Sequence, residues 1–378
     1  MPEPTLTAGF PNYNHSHYLP QAIEAILSQS RPPDEFIIVD DASTDNSVEI
    51  IESYARQDSR LRLVRHEHNQ GAVASLDRVQ TEARGDWLYL GAADDYVLPG
   101  FFAATMAVAA EHPEAGILFG QVQLVADGDE AKVLESREVR RWQEPLYAPP
   151  ARFLHDFLAT TPTWYSLTHA TIYRRQALLD LGGFRKEVGH LSDTVALRTL
   201  ALKFGAGYVP LPCATWRVKP DSFAAGEGWD AETMIRITSN LGTLLRSPGY
   251  REAFPEDYVQ RWQRDLWAMT LERYIWKLRE DRFGHSPWGL LQGRVYKRLL
   301  RLRVALQHHG DVAAASGAGR QAVVLQPGAQ RHVLRVAQLR AGDLLALEVR
   351  DRVDARLDDQ LRAPRGGTRD DSQQRAAG

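Results

Sequence analysis

Over the first 220 residues the apolar positions come in short runs separated by amphipathic stretches. Residues 5–10 predict a first strand, although Thr7 and Gly9 dilute it. Leu19, Ile23, Ile26 and Leu27 share one helical face over 19–28, and Arg31-Pro32-Pro33 stops that helix. Residues 35–39 are rich in Ile and Val and read as a strand buried on both faces of a parallel sheet. Ser43 or Asp45 then caps a helix whose apolar positions are Val48, Ile51 and Tyr54. A third strand is predicted at 61–64, a helix from Asn69-Gln70-Gly71 to about Ala83, and a fourth strand at 87–90. Strands alternating with helices in this way imply βαβ units with right-handed crossovers.

Further on, the pattern predicts a helix from Gly100 to just before His112-Pro113 and a longer strand over 116–125. Residues 126–150 are polar and Pro-containing and read as a surface excursion. A strand at 169–173, a short helix at 176–181, a helix from Ser192-Asp193 to Lys203 and a late strand at 208–211 follow. Residues 229–309 are mostly helical in pattern, 313–319 are a small-residue linker, and 321–350 carry alternating apolar runs suited to a hairpin or two. The last stretch, rich in Arg, Asp, Gly and Gln, has the composition of a disordered tail. This divides the chain into an α/β domain (1–228), a helical extension (229–310) and a low-complexity tail (311–378).

Two of the predicted strands stop abruptly at paired carboxylates, Asp40-Asp41 and Asp94-Asp95. In open α/β sheets, ligands bind beyond the carboxyl ends of the strands, so both pairs are expected to face one crevice. Adjacent carboxylates there need a cation or many donors between them, and a divalent metal on a diphosphate supplies that need.

Bulk composition narrows the class. A net charge of −3 over 378 residues offers no general attraction to nucleic acid. A single cysteine, Cys213, rules out an internal disulfide framework and suggests a reducing compartment. No basic-then-apolar leader opens the chain and no apolar run approaches the ~20 residues of a membrane span, so a cytoplasmic protein is expected. Residues 261–309 carry eleven Lys and Arg against four acids, with Val295, Leu299, Leu302 and Leu306 on one face of the last helix. That segment is either a helix packed on the preceding domain, the favoured reading, or a peripheral contact with an anionic membrane.

In order and spacing the chain resembles family 2 glycosyltransferases with the GT-A fold. The matching pieces are Pro11-Asn12-Tyr13-Asn14, Ser28-Gln29, the Ile38-to-Asp45 stretch, Asn69-Gln70-Gly71, Arg84-Gly85-Asp86-Trp87, Asp94-Asp95 with Leu98-Pro99-Gly100, Leu181-Gly182-Gly183-Phe184, and Ser192-Asp193 with Leu197-Arg198. They cover residues 5 to about 222. The resemblance implies a Rossmann-like, mostly parallel sheet flanked by helices. It also implies a nucleotide-sugar donor, most simply a UDP-sugar, and a hydroxyl acceptor on a glycan or a lipid-linked glycan of the cell envelope.

By the same resemblance, Tyr13 stacks on the base beside Pro11, and Asp41 accepts from the base N–H. Asp95 is the main ligand of Mn²⁺ or Mg²⁺, and Asp94 contacts ribose or a metal-bound water, or shares the metal. Asp193 is the base that takes the acceptor proton, and inversion at the anomeric carbon follows from one base and a metal-assisted leaving group. The chain departs from the family at Ala92, where an acid is usual, and at Arg217-Val218-Lys219, where Arg-x-His is common. A protein metal ligand in that last stretch is therefore not expected, and Lys219 faces the diphosphate instead. Trp164 and Tyr165 line the acceptor site or pack. His66, His68, His169 and His190 have no metal-ligand spacing and read as surface or packing residues. Two other classes stay open. A sugar nucleotidyltransferase would want a Gly-rich phosphate loop, which Pro11-Asn12-Tyr13-Asn14 is not. A non-catalytic nucleotide-sugar binder is hinted at only by Ala92.

Overall fold

A computed structural model of the chain describes residues 3–163, 165–219 and 231–283, with side chains to 271. All belong to the first of two units into which the chain divides, Met1–Gly310. The tail and the 321–350 runs lie outside the described residues, as does the helix carrying Val295 to Leu306.

The amino-terminal half alternates as its pattern predicts: β1 Leu6–Asn12, α1 Leu19–Leu27, β2 Glu35–Asp40, α2 Ser47–Ala55, β3 Leu61–Arg65, α3 Ala72–Glu82 and β4 Trp87–Leu90. The four strands pair in parallel, in the order β3-β2-β1-β4. Phe36, Ile37, Ile38 and Val39 have no exposed surface, the burial on both faces that a continuous apolar run requires. The two residues that dilute β1 have packing reasons. A Cβ on Gly9 would sit 2.5 Å from Val79 of α3, so glycine lets that helix approach. The Thr7 hydroxyl donates to Glu35 and accepts from the Gly85 N–H, both at 2.9 Å, tying the starts of β2 and β4 to β1.

The second half is mixed: α4 Phe101–Glu111, β5 Ile117–Ala126, β6 Asp129–Arg137, β7 Leu146–Ala148, α5 Pro150–Phe153, β8 Thr171–Arg174, α6 Arg175–Asp180, α7 Ser192–Phe204 and β9 Ala206–Val218. Strand β8 runs antiparallel between β4 and β5, β9 runs parallel to β5, and β7 closes the edge antiparallel to β9. Residues 126–150 are therefore more than the surface excursion the composition suggests. They form an exposed hairpin strand, β6, on β5, and then bury Trp142 against Phe119, Phe153 and Tyr208.

Two helices follow, α8 Ala231–Leu245 and α9 Glu256–Phe283. The first turns of α9 dock on the α/β domain. Trp262 has no exposed surface and lies 4.1 Å under the Arg198 guanidinium of α7, and Arg261 donates to the Ala159 carbonyl at 3.1 Å. Arg261 and Trp262, at the start of the basic segment, are thus packed against the domain. No helix among the described residues is long and apolar enough to cross a membrane.

Candidate active site

The carboxyl end of β2 is a knot of hydrogen bonds. Asp40 accepts from Asn12 Nδ2 at 2.8 Å, from the Ser43 N–H at 3.0 Å and from its hydroxyl at 2.6 Å. Asp41, 3% exposed, accepts from the Gln70 N–H at 2.9 Å and the Gly71 N–H at 2.8 Å, and His66 Nδ1 lies 2.7 Å away. Burial alone would raise the Asp41 carboxyl. The Gln70 and Gly71 N–H groups and His66 outweigh it and hold the group below the usual carboxylate range. His66 is therefore a partner of a site carboxylate, which its spacing did not signal. Neither expected cap of α2 stands alone: Ser43 serves Asp40, and Asp45 accepts from the Ser47 N–H at 3.0 Å while Asn46 occupies the cap position. Pro11 is half-buried near the end of β1, and Tyr13 just beyond it leaves 44% of its surface exposed.

Strand β4 delivers the second pair. Long β9 reaches this loop and stitches it down: the Leu98 N–H donates to the Cys213 carbonyl at 2.8 Å and the Thr215 N–H to the Tyr96 carbonyl at 2.9 Å. That register brings Arg217 and Lys219 onto the acids. The Arg217 N–H donates to Asp95 Oδ1 at 2.7 Å, and its buried guanidinium bonds the Asp94 carbonyl, Gln21 and Glu130. Lys219 Nζ sits 2.7 Å from Asp94 Oδ2 and 4.6 Å from the centre of the Tyr18 ring, which also lies 5.0 Å from the Arg217 guanidinium. Tyr18 was not legible as a site residue, and its position depends on β9.

The two carboxyls of this pair titrate apart. Burial would raise Asp94, but Lys219 and then His15 hold it below the ordinary value. Burial, then the charge of Asp94, push Asp95 up to about 8 against the Arg217 N–H it accepts. Among the described residues, the ion-pair neighbour of Asp95 is His169, whose Nε2 lies 3.5 Å from Oδ2. Burial lowers the His169 imidazole to about 4, so it is neutral at physiological pH. A desolvated carboxylate facing a neutral ring fits a divalent cation, with Asp95 as its first holder. Among the described residues no cluster of three or more His, Cys, Asp or Glu side chains is placed around one point. Most of such a cation's shell would fall to diphosphate oxygens and water.

Asp193 opens α7 and accepts from the Thr194 N–H at 2.5 Å. Burial raises its carboxyl above the usual value, against hydrogen bonds from the Thr168 hydroxyl and from Thr194. Thr168 and His169 are neighbours in one 3₁₀ turn, Thr168–Ala170. One residue of this turn therefore touches Asp193 and the next faces Asp95. The turn joins two carboxylates that are 98 positions apart in the sequence. Of the two aromatic residues weighed for the acceptor side, Trp164 lies outside the described residues. The Tyr165 hydroxyl is held by the Glu138 backbone, donating to its carbonyl at 3.1 Å and accepting from its N–H. A cavity of about 370 Å³ at the opposite end of the sheet is lined by Arg60 and Arg62, both paired to acids, and by Arg84. None of Asp41, Asp94, Asp95 and Asp193 lines it.

With this geometry, the likenesses to known proteins are informative. Residues 7–182 match the sequence model of Glycosyl transferase family 2, a match that ends before Asp193. The glycosyltransferase GlyG of Streptococcus pneumoniae is 38% identical over 87 residues, 23% of this chain and 29% of that protein. An uncharacterized protein of Mycobacterium tuberculosis is 26% identical over 211 residues, 55% of this chain and 65% of that one. The chain spans less than two thirds of the length of these curated relatives. Among solved structures, residues 1–349 of S. aureus TarS in complex with UDP-GlcNAc superpose with a TM-score of 0.55 at 16% identity, covering 85% of this chain and 94% of that one. The UDP complex gives 0.51 at 19% identity and 72% coverage of each. The nine-stranded mixed sheet between helices is a GT-A fold, and residues 7–182 match the model of glycosyl transferase family 2.

Proposed function

We propose that this protein is an inverting glycosyltransferase that moves a sugar from a nucleoside diphosphate, a UDP-sugar first of all, to a hydroxyl of a glycan or lipid-linked acceptor. The observation that carries this reading is the Thr168–His169 turn, in which one residue bonds the candidate base Asp193 and the next faces the candidate cation holder Asp95. Tyr13 and Pro11 receive the base, and Asp41 offers it a carboxylate already fixed by the 66–71 loop. Lys219 exchanges Asp94 for the diphosphate as the donor enters, freeing Asp94 toward ribose. Bound Mn²⁺ or Mg²⁺ would neutralise the charge that builds on the departing diphosphate. As the acceptor oxygen bonds to the anomeric carbon and the bond to the diphosphate oxygen breaks, the hydroxyl proton passes to Asp193. The raised Asp193 carboxyl is a stronger proton acceptor than an ordinary one.

The test is a panel of UDP-, GDP- and other nucleotide sugars, with and without Mn²⁺, read by thermal stabilisation. A ligand at ~100-fold excess over its Kd adds ~2.7 kcal/mol. One nucleotide class should stand out, with Mn²⁺ strengthening it, and NMR of the product should show the anomeric configuration inverted. No stabilisation by any donor, or a retained configuration, would overturn the reading.

A further inference from the structure

We infer that His169, through Nε2, is a second protein ligand of the divalent cation, beside Asp95; this rests on the cation-assisted reading above. The separation of His169 Nε2 and Asp95 Oδ2, 3.5 Å, is too long for a useful hydrogen bond. It lies within the span of two ligands of one ion, which at about 2.1 Å each can be up to about 4.2 Å apart. The other carboxylate of the pair has other partners: Asp94 holds Lys219 at 2.7 Å and, in the reading above, turns to ribose once the donor enters. His169 is therefore the described side chain best placed to share an ion with Asp95.

The ring is also pre-positioned. It stacks on Trp216, with centroids 4.8 Å apart and planes 14° from parallel, and the Arg137 guanidinium lies 5.0 Å from the same indole. The His169 carbonyl accepts from the Tyr89 hydroxyl at 3.2 Å, fixing the backbone. Ligand imidazoles usually donate their other ring N–H to a carboxylate or carbonyl. Here Nδ1 is buried without a hydrogen-bond partner. The protein part of the site is consequently weak, and the diphosphate completes it. A nitrogen ligand also favours a transition ion over Mg²⁺. The site should take Mn²⁺ in preference to Mg²⁺, and chiefly when UDP is present.

Pulsed EPR on the full chain labelled with ¹⁵N, with Mn²⁺ and unlabelled UDP, tests this without any turnover. The wild type should show ¹⁵N modulation on bound Mn²⁺. His169→Phe keeps a ring on Trp216 and should melt like the wild type. It should lose the modulation, bind Mn²⁺ at least about tenfold more weakly, and lose its preference over Mg²⁺. Bound Mn²⁺ without nitrogen modulation in the wild type would overturn the assignment and leave the cation site at Asp95 standing. Modulation that survives in His169→Phe would move the ligand elsewhere. UDP binding with no Mn²⁺ bound at all would refute the inference and leave a cation-free donor site. Because the wild-type spectrum alone can sink the idea, a misfolded variant does not protect it.

Discussion

Strands β2 and β4 flank β1 and each leads to an Asp-Asp pair, directly at the end of β2 and past Gly91-Ala92-Ala93 after β4, yet their surroundings treat the two pairs in opposite ways. Asp40 and Asp41 are met by Asn12, Ser43, His66 and the N–H groups of Gln70 and Gly71. Their charge is absorbed by fixed dipoles, and the pair ties together the loops after β1, β2 and β3. Asp94 has Lys219, and Asp95 has one backbone N–H and a neutral imidazole. The first carboxylate of the second pair is neutralised by the Lys219 ammonium. The other is desolvated and short of partners. An acidic pair at a strand end is thus not a site by composition: the number of donors around it decides whether it is a brace or a receptor for a cation.

Asp193 tests that distinction hardest, because it combines hydrogen-bond donors with a raised carboxyl. If unmet demand marks the working groups, Asp193→Asn keeps the shape and the bond from the Thr194 N–H but cannot take a proton. It should cut kcat by ~10²–10⁴ while donor affinity changes little. Titration of the variant with UDP, beside single-turnover rates, checks both halves. A near-normal kcat would place Asp193 with the braces.

For Asp41 the expected loss is in stability. Asp41→Asn turns one acceptor oxygen into an NH₂ facing an N–H or His66, at a cost of about 2–4 kcal/mol for lost charge-assisted bonds. The folded carboxyl lies below its unfolded value, so its contribution is fully present above the unfolded value near pH 4. It fades as pH falls through the folded one. Urea melts at pH 7 and pH 3 should show a large gap between wild type and variant at the first and a smaller one at the second. Unchanged stability at pH 7 would break the contrast between the two pairs.

The parallel half was legible because its strands are buried runs and its turns carry Asp, Asn and Gly. The resemblance added the role of each acid, and the structure sets those acids in a GT-A frame. What escaped did so for physical reasons. Strand β6 is largely exposed, so its apolar positions do not alternate against polar ones. The predicted late strand stops at Leu211, whereas β9 runs to Val218. Pro210 and Pro212 interrupt its pattern, and register shifts against β5 between Phe119 and Val122 absorb them. That added length is what places Arg217 and Lys219 on the acids. His169 lies 74 positions from Asp95, and no local spacing reports a contact made only when β8 inserts between β4 and β5.

The last expected effect has the opposite sign. The Asp95 carboxyl titrates near 8 in the folded chain, against about 4 when unfolded. Between those values the native state holds a proton that the unfolded chain has released, so this group lowers stability as pH rises through the window. Asp95→Asn keeps an oxygen for the Arg217 N–H and removes the titration. At pH 4 the variant and the ligand-free wild type should melt together. At pH 8 the variant should melt higher, by up to ~1.4 kcal/mol for each unit that separates the two values. With UDP and Mn²⁺ added the order should reverse, because only the wild type can hold the cation. A protein tuned for folding alone would not leave a buried carboxylate in this state. One that must bind a cation and a diphosphate gains from it, since the ligands supply the charge the fold withholds. If Asp95→Asn is the less stable protein at pH 8, Asp95 is as well satisfied as Asp41, and the asymmetry between the two pairs is lost.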